Sequence, residues 1–313
     1  MIDKIRLFRT DCTDPYCNLA VEEYLMETVR PGECILYLWQ NQNTVVIGRN
    51  QNPWVECRTS LLEEEGGHLA RRLSGGGAVF HDLGNLNFTF LVSTEDYDVD
   101  RQLSVIQHAC ALAGITAEKS GRNDLLAQGS KFSGNAFYKN GKTAYHHGTL
   151  LIDADIEKLG RYLSPSKAKL TAKGVDSVRS RVGNLRELNP DISVEGMKAA
   201  LVESFANIYG GPVEKISIPC DEALLERYRS WEWNYGRKLP FTFAWEDRLD
   251  FGCIRLEAQV EQGIIQAAKV WTDAMDWQLA EQLESALTGS KFDRTELIKK
   301  APEFSEVFQR MDL

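Results

Sequence analysis

At 313 residues, with 43% hydrophobic and 26% charged side chains, the chain can bury a sizeable core and fill two domains. Its 36 Lys and Arg stand against 45 Asp and Glu, a net charge of −9, which argues against nucleic acid as the main partner but allows one locally basic site for a small anion. No apolar run marks a membrane span, Met1–Leu7 lacks the apolar core of a signal peptide, and the 7 cysteines show no CxxC or zinc spacing, which reads as free thiols in a reducing cytosol.

In chain order, Ile5–Phe8 reads as a short strand, and Asp14-Pro15 as an N-cap with Pro at the first helical position. Helical spacing of Tyr16, Leu19, Ala20 and Tyr24 carries that helix to Val29, where Pro31-Gly32 stops it. Ile35–Trp39 and Thr44–Gly48 read as paired strands joined by the polar Gln40–Asn43 turn. A short helix over Leu61–Glu65 ends at Gly66-Gly67. Asn85–Leu91 alternates like a strand, which extends to Ser93, and a helix over Arg101–Ala113 stops at Gly114. Ser120–Asp124 is a polar, Gly-bearing loop. Lys131–Phe137 precedes Asn140-Gly141, a strong hairpin signal, and Tyr145–Thr149 leads into the apolar strand Leu150–Ile152. Asp155 caps a helix to Leu163. Ser164–Arg181 carries Lys167, Lys169, Lys173, Arg179 and Arg181 with little apolar periodicity, a basic loop in an acidic chain. Glu195–Tyr209 is an amphipathic helix. Trp231–Gly236 and Lys238–Pro240 form a connector. Beyond it, a hairpin of Leu249–Val260 and Ile264–Thr272 about Glu261–Gly263 and one or two short helices make a second unit.

The stretch Arg71-Arg72-Leu73-Ser74-Gly75-Gly76-Gly77-Ala78-Val79-Phe80-His81-Asp82 has a glycine run that lets backbone approach a ligand closely. Its successive N–H groups can cradle an anion, and Arg72 can add a bidentate grip on phosphate. It is neither a P-loop, having no Gly-Lys-Ser/Thr, nor a dinucleotide fingerprint, because a strand follows it and not a helix. Phosphate bound here would sit on a strand–loop–strand platform. Two further polar clusters, Arg122–Gly134 and His146–Thr149, follow it. Each alone fits an ordinary role: Lys131 a solvated lysine, Arg122 and Asp124 a loop ion pair, His146 and His147 one in and one out on an edge strand.

Taken together and in order, Arg71–Asn85, Gly121–Asp124, Lys131–Ala136 and His146–Leu151 closely resemble the bacterial-type lipoate–protein ligases of the biotin/lipoate ligase family. The likeness takes in Asp14–Glu22, Thr44–Gly48 with Asn52–Trp54, Lys173–Arg181 and Trp231–Gly236. It implies an α+β fold: a large catalytic domain, 1–240, on a mixed, mostly antiparallel sheet flanked by helices, and a small α+β accessory domain, 241–313. The implied chemistry joins ATP and (R)-lipoate into lipoyl-adenylate and pyrophosphate. The lipoyl group then passes to a lysine on a carrier, either a lipoyl domain of a 2-oxoacid dehydrogenase E2 subunit or the glycine-cleavage H protein. A cytoplasmic monomer without nucleic-acid or membrane partners is implied.

By the same resemblance Lys131 is the central group, bridging the lipoate carboxyl and the α-phosphate as an electrostatic catalyst and not a covalent nucleophile. Arg72 and the loop Gly75, Gly76, Gly77, Ala78, Val79 and Phe80 would hold the nucleotide and flank the lipoyl pocket, with Leu73, Val79 and Phe80 suited to an apolar tunnel. Mg²⁺ is expected on the triphosphate, with Asp124 and Asn123 as its candidate neighbours. Asn85 and His147 line the site, and Lys173, Ser177 and Arg179 belong to a loop closing over the adenylate, which must be shielded from water. An octanoyltransferase on this fold would need a cysteine nucleophile, and none lies between Cys110 and Cys220. Biotin ligases share the glycine loop and lysine but match Arg71–Asp82 less well. A non-catalytic lipoate-sensing or carrier-binding module is the remaining alternative.

Overall fold

The computed structural model describes residues 2–51, 53–121, 124–163, 182–235, 241–272, 274, 276 and 278–311. The chain divides into two compact units, 1–234 and 235–313. In the first, the strands are β1 (Lys4–Arg9), β2 (Glu33–Trp39), β3 (Thr44–Ile47), β4 (His68–Arg71), β5 (Val79–His81), β6 (Asn85–Ser93), β7 (Glu118–Ser120), β8 (Asp124–Ala127), β9 (Ser130–Lys139), β10 (Thr143–Leu151) and β11 (Val213–Lys215). Among the described residues, eight of them form one sheet in the order β11-β1-β2-β6-β10-β9-β8-β7, and β4-β3-β5 forms a second. Pairing is parallel across β11, β1 and β2 and antiparallel from β2 to β7. The fold is α+β.

The large sheet is buried on both faces, and the side-chain alternation of its strands feeds two cores. Cys34, Leu36 and Leu38 of β2 with Leu86, Phe88, Phe90 and Val92 of β6 pack with helices Val99–Leu112 and Val194–Tyr209. Ile35, Tyr37 and Trp39 with Leu91 and Tyr145 pack with helices Pro15–Thr28 and Glu222–Arg229. On that second face β6 also carries Asn87 and Thr89, buried polar groups in a strand otherwise apolar. A buried polar side chain requires partners, and that face is where the site lies.

The helix starts follow the capping residues. Asp14 accepts from the Tyr16 and Cys17 N–H groups, Asp98 from Arg101, Asp155 from Lys158, and Ser193 from Gly196. Four expectations are corrected. The strands either side of Gln40–Asn43 do not pair with each other: β2 belongs to the large sheet and β3 to the small one. Asn43, at φ 44°, and Asn41, fully buried and held by Asn18, redirect the chain there instead of closing a hairpin. β10 is interior, paired with β6 and β9, so His146 and His147 alternate across a central strand and not an edge. In the second unit β12 (Phe241–Leu249), β13 (Gly252–Glu261) and β14 (Ile264–Thr272) make a three-stranded meander, with Leu249 closing the strand before the turn. Its described helices are Leu279–Leu287, Arg294–Lys300 and Ser305–Arg310, three where one or two were expected, and they pack on the sheet to form a separate core.

Candidate active site

Strands β4 and β5 flank the glycine-rich loop, and both pair with β3, which gives the strand–loop–strand platform read from the sequence. Gly76 sits at φ +94°, a conformation other residues rarely adopt. Gly48, just past β3, lies so close beneath the loop that a Cβ there would stand 2.4 Å from the Gly76 carbonyl oxygen. Arg72 is buried beneath the same loop. Its Nε donates to Ser74 Oγ at 2.9 Å, and its Nη2 to the carbonyls of Gly75 and Gly77 at 2.8 Å each. Nη1 reaches the Val46 carbonyl at 3.2 Å. In this conformation the guanidinium braces the loop from within and does not present a two-pronged fork to a ligand. Burial pulls its pKa down to about 10, which leaves it cationic at neutral pH.

Between this platform and the large sheet lies a cavity of about 160 Å³, walled by Gly76–Val79, Val46 and Arg72 on one side. Lys131, Gly134–Ala136, His147–Thr149, Asn87, Trp39 and Leu19 line the other. A void of that size accommodates a ring or a short chain. Lys131 Nζ lies 2.6 Å from Asp124 Oδ1, an ion pair off the line of a hydrogen bond, with each side chain about a third exposed at 34% and 35%. The Lys131 carbonyl accepts from the Gly183 N–H at 3.0 Å, which ties β9 to the chain emerging after 181.

His147 is held from both ends. Its Nδ1 donates to Glu22 Oε1 at 2.8 Å, and its Nε2 lies 2.8 Å from Ser74 Oγ, which in turn accepts from Arg72. Glu22 also accepts from Thr89 Oγ1 at 2.7 Å, and Thr89 from Trp39 Nε1 at 3.1 Å. This buried chain connects helix Pro15–Thr28, β6, β10 and the glycine loop. His146 points to the opposite face, against Gln102, Phe88 and Phe90, and burial holds its pKa near 3. It contributes to the core.

Of the residues expected at the site, Arg72, Gly76, Gly77, Ala78, Val79, Lys131 and His147 meet around this cavity. Gly75 is exposed on the loop outside the wall, and Asp124 borders it through Lys131. Phe80 faces the other way, its ring 5.3 Å from that of Tyr162, because it alternates with Val79 along β5. Leu73 is part of the core with Leu19 and Ala70. Of the expected tunnel, only Val79 faces the cavity. Asn85 is wholly buried and donates to Asn87 Oδ1 at 2.9 Å, so Asn87 is the one that lines the site. Asn123, Lys173, Ser177 and Arg179 lie outside the described residues. Among the described residues no three His, Cys, Asp or Glu converge as a metal site; Asp124 offers a single carboxylate. Sequence reasoning missed Glu22, Trp39, Ser74, His81 and Asn87. Two signals were present: Asn18 and Glu22 stand one turn apart on an otherwise apolar helix face, and Asn85, Asn87 and Thr89 alternate with apolar residues.

Residues 14–206 match the lipoyl protein ligase A/B catalytic domain, and residues 238–313 match the bacterial lipoate protein ligase C-terminus. Lipoate-protein ligase A of Psychrobacter cryohalolentis is 41% identical over 96% of this chain and 93% of its own length. The chain belongs to the lipoate–protein ligase family. Among solved structures in that family's fold, P. falciparum LipL1 in complex with lipoate is 29% identical, with a TM-score of 0.65 over 98% of each chain. A bipartite lipoate protein ligase of Thermoplasma acidophilum, solved as part of an archaeal lipoylation system with its E2 lipoyl domain, is 26% identical. It superposes with a TM-score of 0.64 over 75% of this chain and 96% of its own.

Proposed function

We propose that this chain is an ATP-dependent lipoate–protein ligase whose chemistry is centred on Lys131. In the first step a lipoate carboxylate oxygen attacks the α-phosphorus of ATP; the bond to the β,γ-diphosphate breaks, and lipoyl-adenylate and pyrophosphate result. In the second, a deprotonated carrier lysine amine attacks the acyl carbon, AMP departs with the bonding pair, and an amide forms. The first step brings two anions together, and a fixed cation in a partly dry site lowers that barrier most. The observation that carries the assignment is the Lys131 ammonium on the wall of a cavity whose opposite lip is the Gly76–Val79 backbone.

Asp124 holds Lys131 in place before substrate arrives. When ATP binds, the phosphates compete for that ammonium. The freed carboxylate would then be available to a Mg²⁺ carried by the nucleotide, an ion that proteins hold through one or two carboxylates. The loop N–H groups of Gly77–Val79 are the candidate phosphate contacts, with Arg72 keeping them aligned and Asn85 acting through Asn87. Lys173, Ser177 and Arg179 are candidates to cover the adenylate. Among the described residues no cysteine lines the cavity, which disfavours an acyl-cysteine route. The acceptors we propose are lipoyl domains of 2-oxoacid dehydrogenase E2 subunits and the glycine-cleavage H protein, served by a cytoplasmic monomer.

The test is lipoylation of a purified E2 lipoyl domain with ATP, Mg²⁺ and lipoate, wild type beside Lys131→Ala, read as a mass gain on the carrier. A gain with wild type and a rate at least about 100-fold lower with the variant supports the assignment. Equal gains would remove Lys131 from the mechanism. Pyrophosphate release without carrier modification would make the chain an activating enzyme only.

A further inference from the structure

The cavity wall holds a buried donor without a partner among the described residues. His81 lines it, is 3% exposed, and among the described residues its Nε2 has no hydrogen-bond partner. Which ring nitrogen carries the proton is settled by a chain of amides. The carbonyls of Cys12 and Gln40 can only accept, and Asn18 Nδ2 faces both, at 3.0 and 2.8 Å. Asn18 Oδ1 therefore accepts from Tyr37, and Nδ2 is also shared with Asn41 Oδ1 at 3.0 Å. Asn41 must then turn its NH₂ to His81 Nδ1, at 3.2 Å. The Asn87 amide stands at 3.5 Å from the same nitrogen. With the Asn41 donor against it, Nδ1 must be bare, and the proton resides on Nε2. Burial, reinforced by Arg72 and His147, holds the ring neutral, its pKa near 3.

The place of that N–H along the cavity follows from the sheet. The floor crosses β9, β10, β6 and β2 in order, with Lys131, Thr149, Asn87 and Trp39 on successive strands. Thr149 is the register partner of Asn87, and Asn87 of Trp39. At about 4.8 Å per strand, Asn87 lies about 10 Å from the β9 line. His81 meets Asn87 and, edge-on, Trp39 at 6.1 Å between ring centres. It therefore stands at the end remote from Lys131, reached by the far end of an acid whose carboxylate meets that lysine.

We propose that His81, on the cavity wall beside Trp39 and Asn87, donates its Nε2–H to a dithiolane sulfur of bound lipoate and selects it over acids with hydrocarbon tails. This rests on the ligase assignment and adds the part that reads the tail. A hydrocarbon end leaves the buried N–H unanswered, whereas sulfur is a weak acceptor and packs well against aromatic rings. Because the ring is neutral and its tautomer is fixed, no proton has to move when the tail binds.

The experiment compares kcat/KM for lipoate and for 5-cyclopentylpentanoate, which keeps the ring size and replaces both sulfurs by CH₂, in wild type, His81→Phe and His81→Gln. Wild type is expected to prefer lipoate by about threefold to tenfold. His81→Phe abolishes the preference, and His81→Gln, which retains an N–H at similar reach, keeps part of it. A wild type without preference, or a preference unchanged in His81→Phe, overturns the proposal. Should His81→Phe not fold, the wild-type ratio and His81→Gln decide alone. Ligation of both acids without discrimination sinks this inference and spares the ligase assignment; ligation of neither by wild type sinks both.

Discussion

Arg71 and Arg72 are neighbours in sequence, but their side chains hold different parts of the protein. Arg72 braces the glycine loop, while Arg71, wholly buried, turns to the other side of the strand. Its Nη1 donates to the carbonyls of Gly48, Arg49 and Gln51, at 3.1, 3.1 and 2.7 Å. Its Nε and Nη2 reach the carbonyls of Trp233 and Asn234, at 3.0 and 2.7 Å, and its backbone N–H donates to Asn234 Oδ1. One side chain thus ties the last helical turn of the first unit, Trp231–Asn234, to the strand that enters the glycine loop. Removing it strands several buried carbonyls, each costing about 1 kcal/mol or more. Arg71→Met, close in length and without donors, is expected to lower unfolding free energy by about 3 kcal/mol in urea titration. A loss below about 0.5 kcal/mol would mean that water or a shifted backbone answers those carbonyls equally well. The paired arginines were legible as basic residues beside a glycine run. Which one serves the loop and which the chain's far end was not, because Trp233 and Asn234 lie some 160 positions away.

At the scale of elements, strand and helix positions follow local chemistry and pairing does not. Asp14, Asp98, Asp155 and Ser193 cap the helices that their sequences announce, and Asn140-Gly141 turns β9 into β10. The β2–β3 pair looked like a hairpin because two apolar runs flank a polar turn, yet each run is buried on every residue and satisfied by other strands. Periodicity cannot distinguish two sheets from one when a strand is buried on both faces. The same limit hid the cavity: the floor comes from four strands of the large sheet and the lip from the small one. Within the lip, Gly48 lies directly beneath the glycine loop. Gly48→Ala puts a methyl against the Gly76 carbonyl, and the loop, gripped by Arg72, must move as a body. We expect a modest stability loss, about 1–3 kcal/mol, with a disproportionate fall of about tenfold or more in kcat/KM for lipoate. Unchanged kinetics in a folded Gly48→Ala protein would show that the loop's position does not set the reaction geometry.

For the whole molecule, the two units have separate cores. The apolar clusters of the first run from Ile5 to Leu225 and Tyr228, and that of the second lies wholly within Leu249 to Met311. Every described wall of the cavity, and the Glu22–His147–Ser74 chain behind it, belongs to the first unit. A domain that holds its own core can fold alone, and a cut after Pro240 removes no core residue from the first unit. The fragment Met1–Pro240 is therefore expected to unfold cooperatively, with a urea midpoint matching that of the same unit in the full chain. Trp39, Trp54, Trp231 and Trp233 report it by fluorescence. The sharper consequence is chemical. If Lys131 and the loop suffice to activate lipoate, the fragment should release pyrophosphate from ATP and lipoate at a rate near that of the full chain. Transfer to the carrier then measures what residues 241–313 add. A folded fragment that releases no pyrophosphate would place part of the first step in the C-terminal unit, and a fragment that performs both steps would leave that unit without a chemical role.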